Sequence, residues 1–119
     1  MKKVETIEQA LELFEKYSIS RGTAIDSGNS KSANRCYDKI RNLILFLRER
    51  KELPQLAIFY HHPNAFVRLA AAANLLPVFE KESLKVMREI TKEKGIVSLE
   101  AEMTIKEWKN GNLKTFYTL

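Results

Sequence analysis

A chain of 119 residues has the size of one domain with a single hydrophobic core. Its apolar share of 45% and charged share of 29% are ordinary for a water-soluble globular domain, and no apolar run nears the ~20 residues that cross a bilayer. The net charge is +5, and residues 31–51 carry that whole excess: Lys31, Arg35, Lys39, Arg41, Arg48, Arg50 and Lys51 stand against Asp38 and Glu49. The rest of the chain is charge-balanced, as solvated helix faces are.

The opening MKKVETIEQALEL has two lysines but reaches glutamates at once, unlike a signal peptide. The single cysteine, Cys36, leaves no internal disulfide framework and fits a reducing compartment. The expected location is the cytoplasm, with no membrane span.

A first helix is expected to start at Thr6, which forms a capping box with Gln9. Ile7, Ala10, Leu11, Phe14 and Tyr17 follow at helical spacing. Ser18, Gly22 and Thr23 lower helix propensity, but Ile25 returns to the phase of Ile7. The helix is therefore predicted to run to about residue 26, closed by Gly28. A second helix runs from a cap at Asn29 or Ser30 to about Arg50. Its core stripe is Ala33, Cys36, Tyr37, Ile40, Leu43, Ile44 and Leu47. Pro54 suits the first turn of a short third helix over about 54–60, carrying Leu56, Ile58, Phe59 and Tyr60. His61, His62 and Pro63 make a turn, and Asn64 caps the fourth helix.

The fourth helix is the organising one. In NAFVRLAAAANLL, Val67, Ala70, Ala71 and Leu75 point one way, and Phe66, Leu69, Ala73 and Leu76 cover much of the rest. A helix apolar nearly all round belongs in the middle, packed on more than one side. Pro77 ends or kinks it. A fifth helix over about 81–93 turns Leu84, Met87 and Ile90 inward, and Gly95 closes it. A sixth starts at Ser98, puts Ala101, Ile105 and Trp108 on one face, and ends at Gly111. The tail NLKTFYTL keeps Leu113, Phe116, Tyr117 and Leu119, and is expected to pack back on the domain. No segment alternates as a strand does.

The stretch HPNAFVRLAAAANL, with Pro63, Asn64, Val67, Arg68, Ala71 and Leu75, resembles the start of a HEAT-like helical repeat. Together with ANRCYDKI and AEMTIKEWKNG, it is similar to a family of small bacterial HEAT-like proteins labelled as a domain of unknown function. The resemblance covers most of the chain and brings no catalytic residues. It implies that Arg68 bonds an acidic residue or carbonyl of a neighbouring helix pair. Some small helical-repeat proteins of this kind look like immunity proteins that block a toxin.

Little else suggests chemistry. His61 and His62 are adjacent and too few for a zinc site. Cys36 lies in a core stripe, unlike an exposed catalytic thiol. The four glycines sit near expected helix breaks and form no phosphate loop. Neither a metal nor a cofactor is expected. One face of the second helix is unusual: Lys31, Arg35, Lys39, Asn42, Phe46 and Arg50 lie within about 100° of one another. That is a basic face with an aromatic ring inside it, suited to docking an acidic surface.

The expectation is thus an all-α, HEAT-like antiparallel array of five or six helices, forming a single domain over residues 1–119. It reads as a non-catalytic protein-binding module, an immunity or regulatory protein with an acidic partner. The alternative is a helical repeat that binds nucleic acid. That is disfavoured because the basic cluster is one helix long and offers one stacking ring.

Overall fold

The computed structural model describes residues 4–112. Its helices are α1 (Ile7–Asp26), α2 (Ser30–Glu49), a 3₁₀ segment (Leu53–Phe59), α3 (Ala65–Leu75), α4 (Glu80–Ile90) and α5 (Ile96–Lys109). The described residues contain no strand, so the fold is all-α.

α1 begins as its sequence requires. The Thr6 hydroxyl accepts from the Gln9 N–H at 3.1 Å, and the Gln9 side chain accepts from the Thr6 N–H at 3.2 Å. Gly28, at φ 75°, then turns the chain into α2. The Asn29 side chain caps α2 by accepting from the Ser32 N–H at 3.1 Å. A turn this short forces α1 and α2 into an antiparallel hairpin.

The third predicted helix is a 3₁₀ segment rather than an α-helix. Leu53, Leu56 and Phe59 are its buried residues. They recur every third residue, the period of a 3₁₀ helix, whose side chains stack at i and i+3. Ile58 falls off that row and is 66% exposed.

α3 sits in the middle and packs against α1, the 3₁₀ segment, α4 and α5. Two hydrophobic clusters meet on its two faces. Val67, Ala71 and Leu75 join Phe14, Leu47 and Leu56 in the first. Phe66, Leu69, Ala72 and Leu76 join Met87, Ile90 and Ala101 in the second. Ala72, rather than the expected Ala73, is the fully buried alanine on that second face. Small side chains on both faces let the neighbours come close. The helix ends at Leu75, ahead of Pro77.

The Asn64 side chain accepts from the N–H groups of Phe66 and Val67 at 2.9 and 3.3 Å. Asn64→Ala removes both bonds at the start of the central helix. It is expected to lower stability by about 1 kcal/mol in urea unfolding, the usual cost of a lost cap.

Two glycines do other work than expected. Gly22 lies buried inside α1, not at a break. A Cβ there would fall 2.4 Å from Cδ2 and 2.6 Å from Cγ of Phe66. Gly95, at φ 97°, caps the start of α5 instead of closing α4. α4 ends earlier, at Ile90. Its inward row is Ser83, Met87 and Ile90, all fully buried, with Leu84 only partly covered. Ala101 is buried on α5, while Ile105 and Trp108 are half-buried on the same face. Arg21 reaches from α1 to Glu100 on α5 at 2.5 Å and ties the two ends of the array together. The tail residues Leu113, Phe116, Tyr117 and Leu119 lie outside the described residues.

Candidate functional site: the outer surface of α2

α2 packs chiefly on α1 and more lightly on the 3₁₀ segment. Much of its circumference therefore faces outward. Lys31, Arg35, Lys39, Asn42 and Arg50 are all exposed. Among the described residues, no carboxylate lies within ion-pair distance of Lys31 or Arg35. The Lys39 ammonium sits 4.9 Å from the centre of the Tyr17 ring, so this face borders α1.

Phe46 is not the bare anchor that its position suggests. The ring is half-buried and packs against the first core cluster. The Arg50 guanidinium lies 3.5 Å above its centre. Arg50 also donates to the Phe46 carbonyl at 3.3 Å and stands 3.9 Å from the Glu49 carboxylate. The structure thus couples Phe46 with Arg50 into one flat plate. The other members of the face are arranged along the helix.

The opposite flank of the core stripe differs more from expectation. Tyr37, expected in the core, is 43% exposed, and Cys36 is only partly buried. Leu45 is 46% exposed on the same flank. Two hollows open there, and Tyr37 forms part of the wall of both. One, of about 430 Å³, lies between Arg21 and Ile25 of α1, the turn at Gly28 and Asn29, and Ala33 of α2. The other, of about 150 Å³, has Ile40 and Ile44 of α2 in its lining. Arg41, Leu45, Arg48 and Asn74 of α3 line it as well. Sequence periodicity gave no sign of these hollows, because they are gaps between helices.

A third cleft, of about 480 Å³, lies where the His61–Pro63 turn meets α4. Three of its polar side chains, His62, Arg68 and Tyr60, are tied into the fold. His62 accepts from the Asn64 N–H at Nδ1, 3.0 Å away, and turns Nε2 to Glu15 at 2.6 Å. Both ring nitrogens thus serve the turn. Arg68 donates to Glu93 just beyond α4 at 2.8 Å; the partner is acidic as expected, but it follows the helix next to α3 in the chain instead of lying on a neighbouring helix pair. The Tyr60 hydroxyl meets Ser83 at 2.8 Å. That bond explains a buried serine in an otherwise apolar row.

Burial pushes the Tyr60 phenol above its ordinary value of 10.0; Glu82 adds to the rise and the Ser83 bond opposes it. A raised phenol favours the neutral form in the folded state. Its contribution is intact below the unfolded value and is lost as pH climbs through the folded one. Stability is therefore expected to fall above about pH 10, less steeply in Tyr60→Phe, in thermal melts across alkaline pH.

The fold and the surface define a small all-α protein with a basic edge helix. The chain belongs to the family described as Domain of unknown function (DUF2019), whose model matches residues 8–108. No curated protein matches the chain. Its fold is similar to the crystal structure of the protein RPA1889 from Rhodopseudomonas palustris CGA009. The TM-score is 0.83 at 22% identity, over 92% of this chain and 96% of that one. At that identity the likeness speaks for the fold alone. No helix among the described residues is long and apolar enough to cross a membrane.

Proposed function

We propose that this protein is a non-catalytic protein-binding module of HEAT-like build that holds an acidic partner on α2. An immunity or regulatory role in the cytoplasm fits that reading. The observation that carries it is the placement of the charge. The segment 31–51 that holds the chain's whole cationic excess is α2 with the two residues after it, and the outer side of that helix is left open. Cations spread along an open helix steer an acidic surface and raise its rate of arrival. The Phe46–Arg50 plate supplies a ring and a guanidinium, both common at interface centres. The consecutive helix pairs α1–α2 and α3–α4, packed on each other through α1 and α3, support the HEAT-like reading.

Arg35 and Lys39 belong to the steering charge. Reversing both to Glu is expected to slow association and flatten its salt dependence, with little change in melting temperature. Phe46→Ala is expected to weaken binding by about thirtyfold, the effect of losing an anchor of ~2 kcal/mol. Co-purification from the native cell with wild type and each variant, followed by binding kinetics on the captured protein, checks both. A partner held equally by all variants contradicts the proposal.

The same cations also suit a phosphate backbone, and salt separates the two readings. Phosphate binding collapses as salt rises, because it is driven by counterion release. Retention of a labelled RNA or DNA oligomer at sub-micromolar affinity near ~0.15 M salt would favour nucleic acid.

A further inference from the structure

His62 joins three parts of the fold through one ring. Its imidazole is largely buried, with a side-chain exposure of 16%. The ring meets Phe59 of the 3₁₀ segment edge-on, with centroids 6.1 Å apart. Nδ1 lies 3.0 Å from the backbone nitrogen of Asn64, at the start of α3. Nε2 lies 2.6 Å from Oε2 of Glu15 on α1. Pro63 stands between His62 and Asn64 and stiffens the turn that holds the Asn64 N–H against the ring.

These contacts fix the proton count. A backbone N–H can only donate, so Nδ1 is bare and accepts. The Glu15 carboxylate accepts, so Nε2 carries the hydrogen. The folded ring is therefore the neutral Nε2–H tautomer. A second proton has one place to go, Nδ1. There it sets a donor against the Asn64 N–H, and that bond breaks. The same proton makes the ring a cation, so its bond to Glu15 then joins two charged groups and strengthens. The two bonds of one ring respond in opposite senses.

We propose that His62 is a pH-operated latch. Acidification makes the ring release the Asn64 N–H and keep Glu15, so the turn lets go of α3 while holding α1 more firmly. The released residue is the one that caps the central helix, its side chain accepting from the Phe66 and Val67 N–H groups. The cleft of about 480 Å³ that His62 lines gives the new Nδ1–H access to water. Tyr60 and His61 of the same turn, Arg68 of α3, and Glu82, Lys85 and Glu89 of α4 line that cleft too. Arg68 is engaged by Glu93. Among the described residues, Glu15 is the carboxylate within ion-pair distance of His62. The latch is independent of any partner on α2.

The test follows the intact protein by NMR between about pH 8 and pH 5, where histidines take up a second proton. At the upper end, the His62 ring nitrogens are expected to report hydrogen on Nε2 and none on Nδ1. On acidification, the Asn64 amide is expected to lose its hydrogen-bonded shift along the same curve as the His62 ring. Its exchange protection is expected to fall about fivefold, the effect of one net hydrogen bond. Circular dichroism is expected to stay constant, because the helices remain. Glu15→Gln keeps an accepting oxygen but removes the charge that favours the cation, so its midpoint is expected at lower pH. His61→Ala, at the exposed neighbour, is expected to leave the curve unchanged.

Hydrogen on Nδ1 at the upper end overturns the latch. So does an Asn64 amide that stays fixed while His62 titrates, or one that follows His61. A midpoint unmoved in Glu15→Gln overturns the opposed response of the two bonds. Loss of helical signal in step with the Asn64 change means acid unfolding, and overturns the latch as well.

Discussion

Ala71→Glu is expected to leave the protein largely unfolded at 25 °C. Ala71 is fully buried on the face of α3 that completes the first core cluster. Its neighbours in that cluster are aliphatic and aromatic, and the buried set contains no cation to pair with a carboxylate. An uncompensated buried charge costs about 3–5 kcal/mol, and the added side chain finds no void. Domains of this size hold only about 5–15 kcal/mol in total. Ala71→Leu separates the two causes, since it adds bulk without charge. It is expected to cost about 1–3 kcal/mol. Thermal and urea unfolding of both variants check the ranking. Wild-type stability in Ala71→Glu would mean that α3 is not central.

Gly22→Ala is expected to destabilise, although helix propensity argues the reverse. An alanine inside an exposed helix gains about 1 kcal/mol over glycine. At Gly22 the new methyl carbon would fall 2.4 Å from Cδ2 and 2.6 Å from Cγ of Phe66. Those atoms are near the root of a buried ring, so the whole Phe66 side chain must shift. Phe66 belongs to the second cluster, and overpacking there costs about 1–3 kcal/mol. The net expectation is a loss, seen as a lower urea midpoint. Gly22→Ala combined with Phe66→Leu relieves the clash, so the pair is expected to be less destabilised than the sum of the two changes. Stabilisation by Gly22→Ala alone would contradict the close contact of α1 and α3.

Both results concern contacts that differ in how far local pattern reveals them. The central place of α3 was legible because Phe66, Val67, Leu69 and Leu75 leave it no polar side to turn to water. The caps at Thr6 and Asn64 were legible because they depend on neighbours within three residues. Gly22 was not, since the atom that excludes its Cβ is 44 residues away at Phe66. Seven residues from Leu53 to Phe59 are too few to separate a period of three from one of 3.6. Ser83 reads as polar surface until Tyr60 is placed above it.

The surface of α2 divides in the same way. The cationic row Lys31, Arg35 and Lys39 follows from helical spacing alone. The Arg50 guanidinium over Phe46 also follows from a four-residue spacing, though only packing shows that the ring is half core. Tyr37 sits at the margin of the core stripe, where a small rotation of the helix decides between burial and water. Its exposure, and the hollows on either side of it, depend on how α1 and α3 flank α2.

Site-directed photo-crosslinking in the native cell tests the role of α2 most directly. A photoreactive amino acid is placed at Arg35 and at Leu45 on α2, and at Leu99 on the exposed side of α5 as reference. Arg35 and Leu45 are predicted to capture one and the same acidic protein, with Leu99 capturing none of it. Capture of that protein from Leu99 and not from α2, or of nucleic acid from the α2 positions, would contradict the account.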